Sequence, residues 1–304
     1  MPTSTLTNAA ELRRFVATNH TKPYPAIDPQ EVRLPDGYVV CIIGGSGAAG
    51  SGLARSFAQA GASGIILAGR TQSALEATAK EARALNASTN VVTVSCDITS
   101  NDDVATLAAT IREKFGGRLD TVVVNAGYSG PLSKATFLEE DPKDVEKAFG
   151  IHCLGTWYAA HHLVPLLLES KGSFIAISTM AAPMITGFGA SSHYSASKVA
   201  QVRMMEMLHA QYSSQGLFCA SVHPGGLQSD FSRAASMELQ QHLTDSPDLV
   251  GSFCVWLTKP PNSAAQKKAL NGRWISCKWD VLELEQQYER IQQDDLLRFR
   301  IAVE

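Results

Sequence analysis

Short apolar runs alternate with longer amphipathic stretches over most of this chain. The apolar runs are rich in β-branched residues and predict strands at VVCII (39–43), GIILA (64–68), VVTVS (91–95), DTVVV (120–124), FIAIS (174–178) and LFCASV (217–222). Between the runs, helices are predicted at about 50–60, 73–85, up to about 115, 141–170 and 192–214. Strands that are apolar throughout indicate a parallel sheet covered on both faces. We therefore predict a single doubly wound α/β domain, with helices on both faces of a parallel β-sheet.

The first 37 residues do not follow this alternation. Residues 21–37 contain four prolines, which favours an extended segment that wraps the surface. We predict an N-terminal lead-in at 1–37 and one domain, including the C-terminal tail, at 38–304.

The overall composition excludes several classes of function. The chain is 45% hydrophobic and 18% charged, with a formal net charge of −3, and nothing in these totals indicates a nucleic-acid-binding or basic membrane-binding surface. No apolar run is long enough to span a membrane, and the first twenty residues lack the apolar centre of a signal peptide. The six cysteines are scattered and show no metal-ligand spacing. We expect a cytoplasmic protein with reduced thiols, no metal, and no nucleic-acid or membrane partner.

The loop after the first predicted strand has the composition of a phosphate-binding turn. Residues 45–50 follow the pattern G-x-G-x-x-G and lie between a strand and a helix. Glycine lets a backbone approach a pyrophosphate closely, and a helix N-terminus favours anions. The alternative is a tight turn that only packs the helix on the sheet. The strand–loop–helix context favours a dinucleotide site of the Rossmann type.

The end of the second strand indicates which dinucleotide binds. NAD sites usually place a carboxylate there to bind the adenosine ribose, whereas this chain has Gly69 followed by Arg70. A guanidinium suits a 2′-phosphate, so NADP(H) is preferred over NAD(H). A solvated arginine that caps the next turn is the alternative.

A tyrosine and a lysine at helical spacing form a candidate acid/base site. Tyr194 and Lys198 are four residues apart and share a helix face, and a nearby cation lowers the pKa of a phenol. Ser178 and Thr179 end the strand that precedes this helix, so a hydroxyl could share a hydrogen bond with a substrate oxygen. By itself the pair is weak evidence, because a buried ring beside a solvated charge is common.

Five motifs in order resemble the short-chain dehydrogenase/reductase family from about residue 38 onward. The glycine loop comes first, and Cys96-Asp97-Ile98 resembles the segment whose aspartate contacts adenine. Asn125-Ala126-Gly127 resembles the N-A-G motif beside the cofactor, and Tyr194-x-x-x-Lys198 occupies the catalytic position. Pro224 to Ser229 resembles the P-G-x-x-x-T segment that packs on the nicotinamide side. The lead-in and the tail resemble members from filamentous fungi, many of which act in secondary metabolism.

The resemblance implies a set of site residues, a small-molecule substrate and a homo-dimer or homo-tetramer built through the helices at 141–170 and 192–214. The implied cofactor-binding residues are Gly44, Ser46, Gly47, Ala48, Gly50, Arg70, Asp97, Ile98, Asn125, Ala126, Gly127, Tyr194, Lys198, Pro224, Gly225, Leu227 and Ser229. The implied catalytic residues are Thr179, Tyr194, Lys198 and His152. The stretch from Gln228 to His242 resembles the family's lid.

Several positions depart from the family pattern. In the family register the glycines fall at Gly44, Ala48 and Gly50, so an alanine replaces the middle glycine, and Ile43 replaces a threonine. Thr179 replaces the catalytic serine; its hydroxyl donates and accepts as serine does, but its methyl group narrows the pocket. His152 replaces the helix asparagine of the water relay. Either it packs between helix and sheet, or it holds a water or passes a proton.

We expect an NADPH-dependent carbonyl reductase, or the same enzyme acting as an alcohol dehydrogenase. Tyr194 would protonate the carbonyl oxygen, Thr179 would bind it, and Lys198 would lower the tyrosine pKa and bond the nicotinamide ribose. The expected substrate is a medium-sized, fairly hydrophobic ketone, since apolar residues surround the predicted site: Met184, Ile185, Phe188, Phe231 and Met237. Two alternatives are a redox-neutral acid/base enzyme that keeps NADP(H) as structure, and a non-catalytic binding relative.

Overall fold

Seven strands in the described part of the chain form one parallel sheet. They are β1 (Val39–Ile43), β2 (Gly64–Gly69), β3 (Asn90–Ser95), β4 (Thr121–Val124), β5 (Ser173–Ile177), β6 (Phe218–His223) and β7 (Arg273–Ser276). Their order is β3-β2-β1-β4-β5-β6-β7, and every pair of neighbours is parallel. The structure is a computed structural model that describes residues 12–130, 137–185, 191–229, 232, 240–241, 243–260 and 263–301.

Helices cover both faces of the sheet. Those described are α1 (Ala48–Gln59), α2 (Gln72–Leu85), α3 (Asn101–Phe115), α4 (Pro142–Phe149), α5 (Gly155–Ser170), α6 (Ser192–Tyr212), α7 (Pro247–Thr258), α8 (Ala264–Leu270), α9 (Val281–Gln286) and α10 (Tyr288–Gln293). Alternate residues of β1 belong to two separate cores: Val40 and Ile42 pack in the core that contains α1 and α7, and Cys41 packs in the core that contains α3 and α5. This burial explains why the strands read as unbroken apolar runs.

The predicted fold is confirmed, with one strand added and one helix divided. β7 was not predicted, because RWIS is short and contains a charged residue; Arg273 is nevertheless buried and pairs with Asp295 at 2.8 Å. The helical region predicted at 141–170 is α4 and α5 joined by a π-helical segment, Gly150–Leu154. Such π segments are frequent at functional sites.

The lead-in is fastened to the loop that follows β7. Asn19 forms an antiparallel bridge with Trp279, and the backbone N–H of His20 donates to the carbonyl of Lys278 at 2.7 Å. The ring of His20 pairs with Asp280 at 2.9 Å. Ile27 is fully buried in the core beside α7 and α9, so the segment does more than wrap the surface. The domain boundary at 37/38 stays a prediction.

No helix among the described residues has both the length and the apolar character needed to cross a membrane.

Candidate active site

A cleft of about 1580 Å³ lies along the carboxyl edge of the sheet. Because all the strands are parallel, their carboxyl ends meet at this edge, and segments that follow each of the seven strands line the cleft. The predicted site residues that line it are Gly44, Ser46, Gly47, Ala48, Arg70, Asp97, Ile98, Asn125, Ala126, Gly127, Thr179, Tyr194, Lys198, Pro224, Gly225, Leu227 and Ser229. Gly50 and His152 do not line it.

The glycine loop has the shape that a pyrophosphate needs. Gly44 has φ +89°, and a β-carbon there would lie 2.6 Å from the amide nitrogen of Ala126, so only glycine fits. At Gly47 a β-carbon would meet nothing nearer than 3.9 Å, which leaves open space on that side of the loop. The first-turn N–H groups of α1 have no intrahelical acceptors, and Ala48 and Ala49 place them beside the cleft. The residues therefore fit a dinucleotide.

Asn125 and Gly50 shape the glycine loop, in addition to any contact that they make with a bound dinucleotide. The side-chain amide of Asn125 donates to the carbonyl of Gly44 at 2.7 Å, which ties the end of β4 to the glycine loop. A β-carbon on Gly50 would lie 2.2 Å from the same carbonyl. Gly50 therefore lets α1 pack directly on the loop from below.

The ends of β2 and β3 present one cation and one carboxylate to the cleft. Arg70 is exposed and lines the cleft immediately after β2. Asp97 lies after β3, where its Oδ1 accepts hydrogen bonds from the backbone and the hydroxyl of Thr99. At the β2 end, the cleft is therefore lined by Gly69, Arg70 and Thr71, without the carboxylate that NAD enzymes have there.

The predicted catalytic hydroxyls meet at the centre of the cleft. Tyr194 is buried, and Thr179 forms a side-chain hydrogen bond with its phenol. Burial raises the pKa of Tyr194 to about 12, and the hydrogen bond from Thr179 opposes the rise. The position of Thr179 is fixed from two sides: its Oγ1 accepts from the N–H of Ala181 at 3.1 Å, and its carbonyl accepts from the indole of Trp274 at 3.2 Å.

Lys198 is buried one helical turn beyond Tyr194. Its Nζ donates to the carbonyl of Ile177 at 2.8 Å and to Oε1 of Gln201 at 2.9 Å. Burial lowers the pKa of Lys198 from 10.5 to about 7. Burial sets the direction of both shifts, and the predicted effect of this ammonium on the tyrosine pKa stays a prediction.

His152 lies on the π-helical segment and packs edge-on against Tyr194, with 5.7 Å between ring centroids. Its Nε2 accepts from the backbone N–H of Tyr128 at 3.0 Å, so the proton is on Nδ1, which lies 2.8 Å from Oγ of Ser197. Ser197 in turn donates to the carbonyl of Tyr194. Burial, followed by the charges of Lys198 and His193, lowers the pKa of His152 well below 6.5. Both nitrogens bond the protein, which favours the packing role; the relay role stays a prediction.

Two polar groups at the site escaped the sequence analysis. Glu140 accepts from the backbone N–H groups of Ser192 and His193, at the start of α6. Burial raises the pKa of Glu140, but hydrogen bonds from Ser192 and His193 outweigh it and leave that pKa below its ordinary value. Gln201 is the second group. Neither belongs to a motif, and only the tertiary contacts identify them.

Ser178 follows β5 directly and lines the cleft, but its Oγ is buried and has no hydrogen-bond partner among the described residues. A buried hydroxyl without a partner is energetically costly.

The β6 and β7 end of the cleft is polar. The carboxylate of Asp245 accepts from the N–H of Gly226 at 2.7 Å and pairs with Lys278, which follows β7. The lead-in contributes Arg13, Asn19 and Thr21 to the same wall. Of the predicted apolar residues, Met184 lines the cleft and Ile185 is exposed, whereas Phe188, Phe231, Met237 and most of the predicted lid lie outside the described residues.

The described residues contain no group of three or more histidine, cysteine, aspartate or glutamate side chains able to hold a metal ion. All six cysteines are buried and free.

The family model for short chain dehydrogenases matches residues 38–240. The chain belongs to the short-chain dehydrogenase/reductase family. Members of this family are oxidoreductases that use nicotinamide cofactors and act on small molecules. The short chain dehydrogenase pgmD of Aspergillus terreus is 36% identical over 95% of this chain and 94% of its own length. The short chain dehydrogenase pigC of Monascus ruber is 31% identical over 93% of this chain and 92% of its own length. The resemblance to fungal members is thus confirmed.

Solved structures of the family share the fold. A short-chain type dehydrogenase/reductase from Mycobacterium ulcerans superposes with a TM-score of 0.71 at 23% identity, over 80% of this chain and 89% of its own. A 7α-hydroxysteroid dehydrogenase in complex with NADH and 7-oxo glycochenodeoxycholic acid superposes with a TM-score of 0.70 at 21% identity, over 84% of this chain and 97% of its own.

We predict that Lys198→Met changes how the stability of the protein depends on pH. A lysine whose pKa is lower in the folded state destabilises the fold fully below that pKa, and the penalty disappears as the pH rises from about 7 towards 10.5. At about 1.4 kcal/mol per pKa unit, the penalty at pH 6 is on the order of a few kcal/mol. The free energy of unfolding of the variant, minus that of the wild type, should therefore fall between pH 6 and pH 9 in urea titrations. A difference that does not change with pH would contradict the lowered lysine pKa.

Proposed function

We propose that this protein is an NADPH-dependent carbonyl reductase. The observation that supports it most directly is the convergence of a buried phenol, its hydroxyl partner and a buried lysine on one cleft whose other end fits a dinucleotide. The raised pKa of Tyr194 keeps the phenol protonated at neutral pH. A protonated phenol is a proton donor, which favours the reductive direction.

The chain's own residues would supply binding and proton transfer. A bound NADPH would supply a hydride to the carbonyl carbon. When substrate binds, Thr179 would donate its single hydroxyl hydrogen to the carbonyl oxygen in place of the phenol of Tyr194, while one lone pair of its Oγ1 still accepts from Ala181. Tyr194 would transfer its proton to the same oxygen. The ammonium of Lys198, held at the floor of the cleft, would stabilise the phenolate that remains.

The preference for NADPH rests on Arg70. Arginine binds phosphate through several charge-assisted hydrogen bonds, and Arg70 stands where the adenosine ribose of a bound dinucleotide would lie, after β2. The amide donors of the glycine loop lie between it and the catalytic residues.

The substrate would be a medium-sized ketone or aldehyde that is apolar near the carbonyl. Met180, Met184, Leu227 and Leu243 add apolar side chains to the lining of the cleft. The polar wall formed by Asp245, Lys278 and the lead-in would face the distal part of the substrate. Substrates of this type occur in fungal secondary metabolism, where we place the enzyme. The buried free thiols support a cytoplasmic location.

We further propose a homo-dimer or homo-tetramer built through α5 and α6. Three large apolar residues on or next to these helices are more than half exposed: Leu154 and Trp157 (54% each) and Met207 (52%). In the proposed oligomer, these side chains would be covered by the partner chain.

Trp157→Glu should dissociate the oligomer, because a carboxylate would be buried in an apolar interface. The molar mass from sedimentation equilibrium should fall towards that of one chain, 32.6 kDa. Leu85→Glu, at an exposed apolar position on α2, is the matched control and should leave the mass unchanged. A wild-type protein that sediments as a monomer would refute the proposal.

Arg70→Ala should weaken NADPH binding by roughly 10-fold to 100-fold, which corresponds to the loss of charge-assisted hydrogen bonds. NADH affinity should change by no more than about twofold, since NADH has no 2′-phosphate. Calorimetric titration with each cofactor measures both. Arg33→Ala, an exposed arginine outside the cleft, should change neither affinity. Equal losses for both cofactors would contradict the assignment of Arg70.

Tyr194→Phe should lower kcat for carbonyl reduction by at least about 100-fold, the usual contribution of a general acid. NADPH affinity should be retained, and Tyr212→Phe on the same helix should be fully active. Deuterium from C4-labelled NADPH should appear in the product of the wild-type reaction. Product without label would favour the redox-neutral alternative, and full activity of Tyr194→Phe would exclude the proposed proton donor.

A further inference from the structure

Two protein acceptors hold the Lys198 ammonium at the floor of the cleft. One is the carbonyl of Ile177 at the end of β5, 2.8 Å from Nζ, and the other is Oε1 of Gln201 at 2.9 Å. Lys198 and Gln201 are both buried. An ammonium has three N–H donors, so one remains after these two bonds. Because Lys198 lines the cleft, that donor is the one available to a bound molecule.

A third residue fixes the direction of the Gln201 amide. Nε2 of Gln201 donates to Oγ1 of Thr156 on α5 at 2.8 Å, and both side chains are fully buried. Turning the amide over would place its NH₂ group against the ammonium and its oxygen against the hydroxyl. The Thr156 bond therefore keeps the amide oxygen directed at Lys198.

The groups around this lysine from other elements are not anionic. His152 is neutral, as its hydrogen bonds show, and burial raises the pKa of the Cys153 thiol, so that group is also uncharged near neutral pH. Tyr194 is a phenol. The described groups that bond the ammonium are the side chain of Gln201 and the carbonyl of Ile177, and neither carries a charge that would compensate it.

We propose that Gln201 is a positioning residue that orients Lys198 and keeps its positive charge available to the reacting oxygen atoms. A hydrogen-bond acceptor is needed beside Lys198 to direct the ammonium. That acceptor must be neutral, because a negative charge would cancel the electrostatic field of the ammonium at Tyr194. The proposal rests on the function proposed above, because it assigns Gln201 a part in that reaction.

Two substitutions separate the two requirements. Gln201→Met keeps the side-chain length but removes the acceptor, so the charged lysine loses a hydrogen bond. Gln201→Glu keeps the acceptor but adds a charge that compensates the ammonium. Gln211→Met, at an exposed position near the end of the same helix, is the matched control.

The first experiment measures kcat/KM for carbonyl reduction as a function of pH. In Gln201→Met the alkaline limb of the profile should move down by about one pH unit, because the loss of a hydrogen bond to a charged group favours the neutral lysine. In Gln201→Glu the alkaline limb should move to higher pH, and kcat should fall at least about tenfold because the added carboxylate compensates the charge of the ammonium. The control profile should superimpose on the wild type. If the Gln201 variants lose stability but their profiles superimpose as well, Gln201 is only structural and the proposal is wrong.

The second experiment does not depend on activity. Urea unfolding of Gln201→Met, Lys198→Met and the double variant forms a double-mutant cycle. Gln201→Met should destabilise the protein less when Met already occupies position 198, and this non-additivity should be larger at pH 6, where Lys198 is charged, than at pH 9. Additive effects at both pH values would overturn the proposal whatever the enzyme catalyses.

The two experiments also separate failure of this proposal from failure of the proposed function. If the wild type reduces no carbonyl compound with NADPH, the proposed function falls, and with it the catalytic part of Gln201. A non-additive cycle would then still show that Gln201 orients Lys198, and the pH dependence of NADPH affinity in Gln201→Met would show whether that orientation matters for binding. If Gln201→Met fails to fold, the isosteric Gln201→Glu supplies the pH profile, and Gln201→Leu, which also lacks the acceptor, replaces Gln201→Met in the cycle.

Discussion

The parallel arrangement of seven strands is the constraint on which the rest of this structure depends. Each strand must leave the sheet at the same edge, so seven connecting segments that are distant in sequence meet there. Backbone hydrogen bonds are satisfied within the sheet, and the side chains on both faces are buried in two separate cores. The residues that follow the strands are then free to differ in chemistry. The cleft is a direct product of this geometry.

The sequence predicted the parts of the structure that local patterns control. Six strands were recognisable because burial on both faces leaves an unbroken apolar run. The glycine loop was recognisable because Gly44 and its neighbours have a backbone geometry or a close packing that excludes a β-carbon. The strand β7 was missed, since a buried arginine paired with Asp295 does not look like a strand residue in isolation. That omission matters, because Trp274 of β7 holds the carbonyl of Thr179.

The remaining parts of the site depend on contacts between elements that are far apart in the chain. Gln201 is unremarkable on its helix until α5 brings Thr156 against it. The proton position in His152 follows from the backbone of Tyr128, 24 residues away. The pKa values of Tyr194 and Lys198 depend on the depth of burial, which no spacing rule reports. The sequence named His152, Tyr194 and Lys198 as candidates but not Gln201, and the electrostatic state of the three titratable groups depends on tertiary contacts.

The attachment of the lead-in to the loop after β7 has a consequence for folding during synthesis. Thr18, Asn19 and His20 leave the ribosome about 260 residues before the residues that hold them, Trp279, Asp280 and Glu283. The strands and helices between can form in order as they emerge. The cleft wall that contains Arg13, Asn19 and Lys278 cannot be completed until the segment after β7 has been made. A nascent chain therefore has its dinucleotide loop long before it has a finished pocket, because that pocket needs both the lead-in and the segment after β7.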